Sequence, residues 1–265
     1  MAATQHARSP LAITLSVWRA LFLREATARL ARNPVEWFWV LAEPIAHIAF
    51  LMWIFVVGFR QRTLVGADTP TFIMLGVLAF FLPRNLINRS IATVGASEAL
   101  YGFRQVKPVD TVIARAGLES LLFCLVFAVV WTGAALLAFP VFPADPLGAL
   151  AALGGLWVAG LGLALTLSVV ANLSEQIGRI VRLLMGPLYI FSAIIYPSAG
   201  VPPAMRDILL LNPLVHGIES LRVAFMPEYK VPTGIDLAYL VQFGVLFVFM
   251  GLALHARFEE FLKTR

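Results

Sequence analysis

Charge is what this sequence has least of. Of 265 residues, 13% are Asp, Glu, Lys or Arg and 60% are hydrophobic. A soluble domain carries about 25% charge and about 45–50% apolar residues, so this balance excludes an ordinary soluble protein and intrinsic disorder. There is one cysteine, Cys124, set in an apolar run, which excludes an internal disulfide scaffold. The lysines are Lys107, Lys230 and Lys263, and none follows a glycine. A phosphate-binding loop of the form G-x-x-x-x-G-K-[ST] is therefore absent. The histidines His6, His47, His216 and His255 are dispersed. No H-E-x-x-H pair, cysteine cluster or nucleophile turn points to catalysis, so neither an enzymatic role nor a cofactor or metal held by this chain is expected. The apolar residues run continuously rather than in alternation, which argues against a transmembrane β-barrel.

What is present is a series of long apolar runs. About 20 residues span a bilayer as a helix, so the length holds five or six spans with short loops. Residues 1–36 read as an N-terminal segment with an amphipathic interfacial helix from residue 10. There Ile13, Val17, Leu21 and Leu30 recur at helical spacing between Arg19, Arg24, Glu25, Arg29 and Arg32, and Asn33-Pro34 ends the helix. The first ten residues are polar and the first long apolar stretch begins near Trp37, so a secretory signal peptide is not expected. Spans are expected over about 37–58, 71–92, 112–139, 147–172, 177–196 and 236–256, making 37–256 one membrane domain and 257–265 a polar tail. Residues 198–226 are semi-apolar and broken by Pro202, Pro203 and Pro213; two short helices that dip into the membrane and return suit that composition.

Lys and Arg set the orientation. The six-span reading puts Arg8, Arg19, Arg24, Arg29, Arg32, Arg104, Lys107, Arg115, Arg179, Arg182, Arg257, Lys263 and Arg265 on one side. Arg60, Arg62, Arg206, Arg222 and Lys230 fall on the other, and Arg84 and Arg89 lie within span 2. The richer side is cytoplasmic, so both termini are expected there, and the basic residues report membrane orientation rather than nucleic acid.

Four features carry candidate chemistry. Glu43 and His47 share one face of span 1 at i and i+4; they read as structural polar residues, with a proton relay or a place along a pathway as the functional alternatives. Arg84 and Arg89 occupy the polar half of span 2. They either pair with Glu98 or Glu119, or give an anionic substrate an electropositive lining. Trp37, Trp39, Phe80, Phe81, Tyr189 and Tyr196 offer flat faces that suit sugar rings, though aromatic belts and core packing use the same residues. Residues 96–108, between spans 2 and 3, combine Tyr101 and Phe103 with Arg104 and Lys107. With no energy source in the chain, this segment is the best candidate for contact with a motor subunit.

The ordered segments resemble a known family. They include Ala20-Leu21-Phe22-Leu23-Arg24-Glu25, Trp39-Val40-Leu41-Ala42-Glu43-Pro44 with His47, and Arg104-Gln105-Val106-Lys107-Pro108-Val109-Asp110-Thr111 through Ala114-Arg115-Ala116 and Glu119. Later come Pro187-Leu188-Tyr189, Asn212-Pro213-Leu214-Val215-His216 with Glu219 and Arg222, and Met226-Pro227 with Tyr229. Spread along nearly the whole chain, they resemble the permease subunits of ABC-2 type exporters, most of all the bacterial capsular-polysaccharide export permeases. The resemblance implies an all-α membrane protein with six transmembrane helices, an N-terminal interfacial helix and periplasmic re-entrant helices between spans 5 and 6. It implies a homodimer bound to two ATP-binding-cassette ATPase subunits, which hold the ATP and Mg. It further implies periplasmic adaptor and outer-membrane partners, and export of a lipid-linked acidic polysaccharide across the bacterial inner membrane. By the same resemblance Glu98, Tyr101, Phe103, Arg104 and Gln105 form the coupling segment. Spans 1, 2 and 5 face the dimer axis, with Arg84, Arg89, Trp37, Trp39, Phe80, Phe81 and Tyr189 along the substrate path. O-antigen or teichoic acid as cargo, an ion-coupled carrier using Glu43 and His47, and a membrane enzyme acting on a lipid-linked sugar are the alternatives.

Overall fold

Helix α3 (Thr69–Ser90) occupies the middle of the molecule because its first half, to Pro83, is apolar on every side, the signature of a helix with no water-facing stripe. In the computed structural model, which describes residues 9–31, 34–58, 63–64, 67–139 and 141–264, every residue from Thr69 to Pro83 is buried. Asp68 fixes its start, accepting from the Thr71 backbone N–H at 3.2 Å and the Thr71 hydroxyl at 2.9 Å, with Pro70 in the first turn, where its missing N–H costs nothing.

Around α3 the chain is helical throughout. Helix α1 (Pro10–Ala26) passes into a π-helical turn (Thr27–Ala31), and α2 (Pro34–Met52) into another (Trp53–Gly58). A two-residue hairpin, Thr63–Leu64 against Ala67–Asp68, leads into α3 and is the only sheet among the described residues. Then come α4 (Thr93–Ala96), α5 (Pro108–Leu136), α6 (Pro146–Leu173), α7 (Glu175–Ile190), α8 (Pro203–Leu209), α9 (Pro213–Phe225), α10 (Leu237–Arg257) and α11 (Glu259–Lys263). The tightest packing is α6 on α10. A Cβ on Gly162 would lie 2.7 Å from the Gly244 carbonyl oxygen and 2.8 Å from the Val248 nitrogen. A Cβ on Gly244 would meet the Ala159 nitrogen at 2.7 Å. Small residues let the two backbones touch.

Among the described residues, five helical stretches are long and apolar enough to cross a membrane: Phe38–Val57, α3, α5, α6 and α10. The pair α8 and α9, bent by 102°, makes a sixth if counted as one span, and its sharp return matches the re-entrant segment expected over 198–226. Span 5, expected over 177–196, is shorter than its apolar run. Helix α7 stops at Ile190 after 16 residues, about 24 Å against a hydrocarbon core of about 30 Å. Beyond it the chain unwinds, with Ala193 at φ +55°. Helix α5 starts four residues before the expected 112, because Pro108 opens it and the Asp110 carboxylate accepts the Lys107 backbone N–H at 2.9 Å. It ends three residues before the expected 139, where Ala138 adopts φ +61°. The interfacial helix, expected over 10–36, is α1 and its π turn; its proposed stop at Asn33 lies outside the described residues.

The glycine packing sets a test. Gly162→Ala should destabilise the detergent-solubilised protein by about 1–3 kcal/mol through overpacking. Gly154→Ala, where a Cβ would meet nothing within 4 Å, should be neutral or slightly stabilising. Thermal unfolding of the two variants checks this, and equal midpoints would show that α10 yields at this contact.

Candidate functional site

The deepest polar group is Arg222 on α9. Its guanidinium and the Glu219 carboxylate, three residues apart on the same helix face, are both 0% exposed and pair at 2.8 Å. Arg222 also donates to the carbonyls of Ala193 at 2.8 Å, Ile194 at 2.7 Å and Phe72 at 3.4 Å. Its cationic face lies 3.5 Å from the centre of the Phe72 ring. One side chain thus ties α9, the unwound end of α7 and the start of α3. Gly76 makes room, since a Cβ there would collide with the Arg222 Nη2. Asn212, the cap of α9, reinforces the join by donating to the Phe191 carbonyl at 3.1 Å. His216 closes the other side: Nε2 contacts the Leu210 carbonyl at 2.8 Å and Nδ1 accepts the Asp236 backbone N–H at 2.9 Å. That makes it a neutral imidazole with its proton on Nε2. The sequence reading had placed Arg222 among the outer loop cations; the structure takes it into the core. The signal available in the sequence was Glu219 at i−3, where the two side chains meet.

A second polar region is a cavity of about 180 Å³ between α2, α3 and α5. Trp39, Val40, Glu43 and Pro44 line it from α2, Leu78, Phe81, Asn85 and Arg89 from α3, and Glu119, Leu122, Phe123 and Val126 from α5, with Arg29 below. Arg84 pairs with neither of the carboxylates considered for it. Its partner is Glu43, at 2.8 Å, and its guanidinium lies 4.8 Å from the Phe81 ring centre. Glu119 is taken by Arg29, and Glu98 is exposed, with no ion pair among the described residues. Glu43 and His47 share a helix face but not a partner. His47 Nε2 lies 2.7 Å from the Tyr189 hydroxyl on α7. The rings of Phe80 and His47 each pack edge-on to Tyr189, at 5.3 Å. Phe80, at 1% exposed, is core packing. Phe81 and Trp39 face the cavity, with Trp39 60% exposed. The Trp37 side chain lies outside the described residues.

The third region joins α1 to the segment after α3. The Trp18 indole N–H donates to Asp110 at 2.7 Å. Glu25 accepts Arg24 at 2.8 Å and Arg115 at 2.7 Å. Tyr101 is turned inward, 8% exposed, its hydroxyl donating to the Val94 carbonyl at 3.0 Å beside Thr111 Oγ1 at 3.2 Å. Burial pushes its phenol pKa up. Phe103 points the other way, 66% exposed, with Arg104 and Gln105 beside it. These three, with Leu100 and Val106, form one wall of a cleft of about 490 Å³ whose other wall is Ser16, Val17, Ala20, Leu21 and Arg24 of α1.

Comparison with known proteins places this geometry. Residues 16–226 match the model of the ABC-2 type transporter family. The polysialic acid transport protein KpsM of Escherichia coli is 34% identical over 263 residues, covering 97% of this chain and 99% of that protein. The capsule polysaccharide export inner-membrane protein CtrC of Neisseria meningitidis is 27% identical, covering 94% of each. The corresponding BexB protein of Haemophilus influenzae is 26% identical, covering 96% of this chain and 95% of its own length.

Of the paired arginines, Arg222 and Arg84 differ in burial and so in sensitivity. Arg222→Lys should lower folded protein severalfold, since an ammonium cannot reproduce the planar fork and loss from a buried pair costs about 3–5 kcal/mol. Arg84→Lys, in a pair 29% and 50% exposed at its side chains, should cost less than about 1 kcal/mol. Any loss of export in Arg84→Glu should be recovered by adding Glu43→Arg. Membrane abundance and surface polysaccharide for each variant decide this, and no rescue by the swap would disconnect the pair from function.

Proposed function

The chain belongs to the ABC-2 type transporter family, and we propose that it is the permease subunit of an ATP-driven exporter carrying capsular polysaccharide across a bacterial inner membrane. The observation that carries this reading is likeness from end to end to a named polysaccharide transporter, at 34% identity over 97% of this chain. No phosphate-binding loop occurs in the sequence, so the ATP and Mg belong to a partner ATPase. The reading includes a homodimer, two ATPase subunits, periplasmic adaptor and outer-membrane partners, a lipid-linked acidic cargo, and both termini in the cytoplasm.

In this reading the exposed Phe103, Arg104 and Gln105, with Glu98, dock on the ATPase. Tyr101 stiffens the segment from inside, through its bond to Val94. Displacement of the segment passes to α5 through Tyr101–Thr111 and to α1 through Arg24–Ser97, and Trp18–Asp110 and Glu25–Arg115 tie those two helices together. From α5 it passes to the cavity wall at Glu119. Arg84, Arg89, Trp39, Phe81 and Tyr189 stand along the path offered to the cargo.

Two experiments test the proposal. In a Cys124→Ser background, cysteines at Ala144 and Thr233 should label from the periplasm and one at Ser174 should not; outside labelling of Ser174 would reverse the orientation. The protein should co-purify with an ATPase, and Phe103→Ala with Arg104→Glu should reduce surface polysaccharide at least severalfold at normal permease abundance. Normal export by that double variant would remove the docking assignment. Unchanged surface polysaccharide after deletion of the gene would remove the export reading itself.

A further inference from the structure

The segment between α4 and α5 has one buried anchor. Of the residues between Ser97 and Pro108, Tyr101 alone is buried; Phe103, Arg104 and Gln105 are exposed, and Leu100 and Val106 are half-buried. Tyr101 enters a small apolar cluster with Val94 of α4, Val112 of α5, and Leu165 and Val169 of α6. Its hydroxyl is fixed by the Val94 carbonyl and Thr111, and its ring is fixed by packing.

The sixth member of that cluster comes from the far end of the chain. Leu262 on α11 is 4% exposed and is the one buried residue from Phe258 to Thr264. Its neighbours Glu259, Glu260, Lys263 and Thr264 are polar, with Lys263 closing on Glu259 at 2.6 Å. A helix of five residues does not hold its shape alone in water, and a polar terminus frays unless it is tied down. Burial of Leu262 ties this one. Tail and segment also meet around a cavity of about 110 Å³, lined by Lys107 and Pro108 at the start of α5 and by Ala256 and Glu259 at the bend between α10 and α11.

A close-packed cluster yields little under load. With Leu262 in place, a push on Phe103 and Arg104 is carried by the Tyr101 ring into α5 and α6. With Leu262 truncated, the ring has a void to enter, and the push is absorbed there. We infer that α11 is the backstop of this segment: Leu262, acting through the Tyr101 ring, is a positioning residue that makes displacement by the ATPase pass into α5 and α6. The inference rests on the docking assignment above.

The test uses the full chain with its ATPase. Surface polysaccharide at measured permease abundance, ATP hydrolysis by the purified complex and the thermal midpoint are read for each variant. Leu262→Ala should lower surface polysaccharide about fivefold, as loss of one buried contact shifts a two-state balance, while ATP hydrolysis continues at close to the parent rate. Leu262→Met, which refills the site, should restore export. Deletion of residues 259–265 should match Leu262→Ala. In a Tyr101→Ala background Leu262→Ala should add little, because side chains that act as a unit are not additive. Gly244→Ala overpacks α10 on α6 at the Ala159 backbone; it should lower the midpoint and leave export per permease unchanged. A fall in export in Leu262→Ala that only tracks abundance and midpoint would overturn the inference, and so would normal export by the tail deletion. Loss of ATPase co-purification in that deletion would also overturn it, by placing the tail in the docking surface itself. Export lost in Phe103→Ala with Arg104→Glu but kept in Leu262→Ala removes the backstop alone. Normal export in the former removes the docking assignment, and the backstop with it.

Discussion

Arg222 has no route to water, and most of the outer half of the structure follows from that. A guanidinium withdrawn from solvent carries a desolvation cost of several kcal/mol, offset only if its donors find acceptors in good geometry. Glu219 supplies one acceptor. The others are backbone carbonyls, Phe72 within α3 at a long 3.4 Å and Ala193 and Ile194 at 2.8 and 2.7 Å, and so close a donor needs carbonyls that no helical N–H already engages. Helix α7 must therefore end before residue 193, and it does, at Ile190. The unwound stretch and the clamp need one another. Without Arg222 the freed carbonyls would be orphaned at membrane depth, and without the break Arg222 would be an unmatched cation. Gly76 belongs to the same constraint, because any side chain there would occupy the guanidinium's space.

The clamp makes α3, the end of α7 and the α8–α9 hairpin one mechanical unit. Helix α6 joins it directly, since a Cβ on Gly160 would lie 2.7 Å from the Pro83 Cα, and glycines bring α10 onto α6 in turn. Helix α1 belongs to a different unit. It is tied to α5 by polar contacts, Trp18 to Asp110 and Glu25 to Arg115, with Arg29 of the following π turn paired to Glu119. The cavity lies where the two units meet, with α3 on one side and α5 on the other.

Periodicity and length made the helical class and the spans readable, since continuous apolar runs of about 20 residues have few other solutions. The return of the chain near Pro213 was readable from proline spacing. The end of α7 was not. Residues 191–196 are as apolar as those before them, and what stops the helix is a donor arriving from residue 222. Arg84 shows the same limit. Polar residues in a span announce that partners exist, but Glu43 lies 41 positions away on another helix, and sequence distance gave Glu98 and Glu119 equal standing. Tyr101 and Phe103 are two apart in a loop of similar composition, and only packing separates the one that points inward from the one that points out.

The arginines of this chain divide by what surrounds them rather than by where they fall in the sequence. Arg222 is enclosed, its two Nη atoms bonded to four acceptors and its Nε to none, so it fixes shape. Arg29, Arg84 and Arg115 each hold one carboxylate between helices, so they fix relative position while leaving room for rearrangement. Arg89, five residues after Arg84 in the last turn of α3, is exposed beside the Glu119 end of the cavity. An arginine exposed in the last turn of a helix is solvated there and needs no protein counter-ion. Burial, rather than place in the sequence, therefore separates the arginine that shapes the fold from those that can change partners.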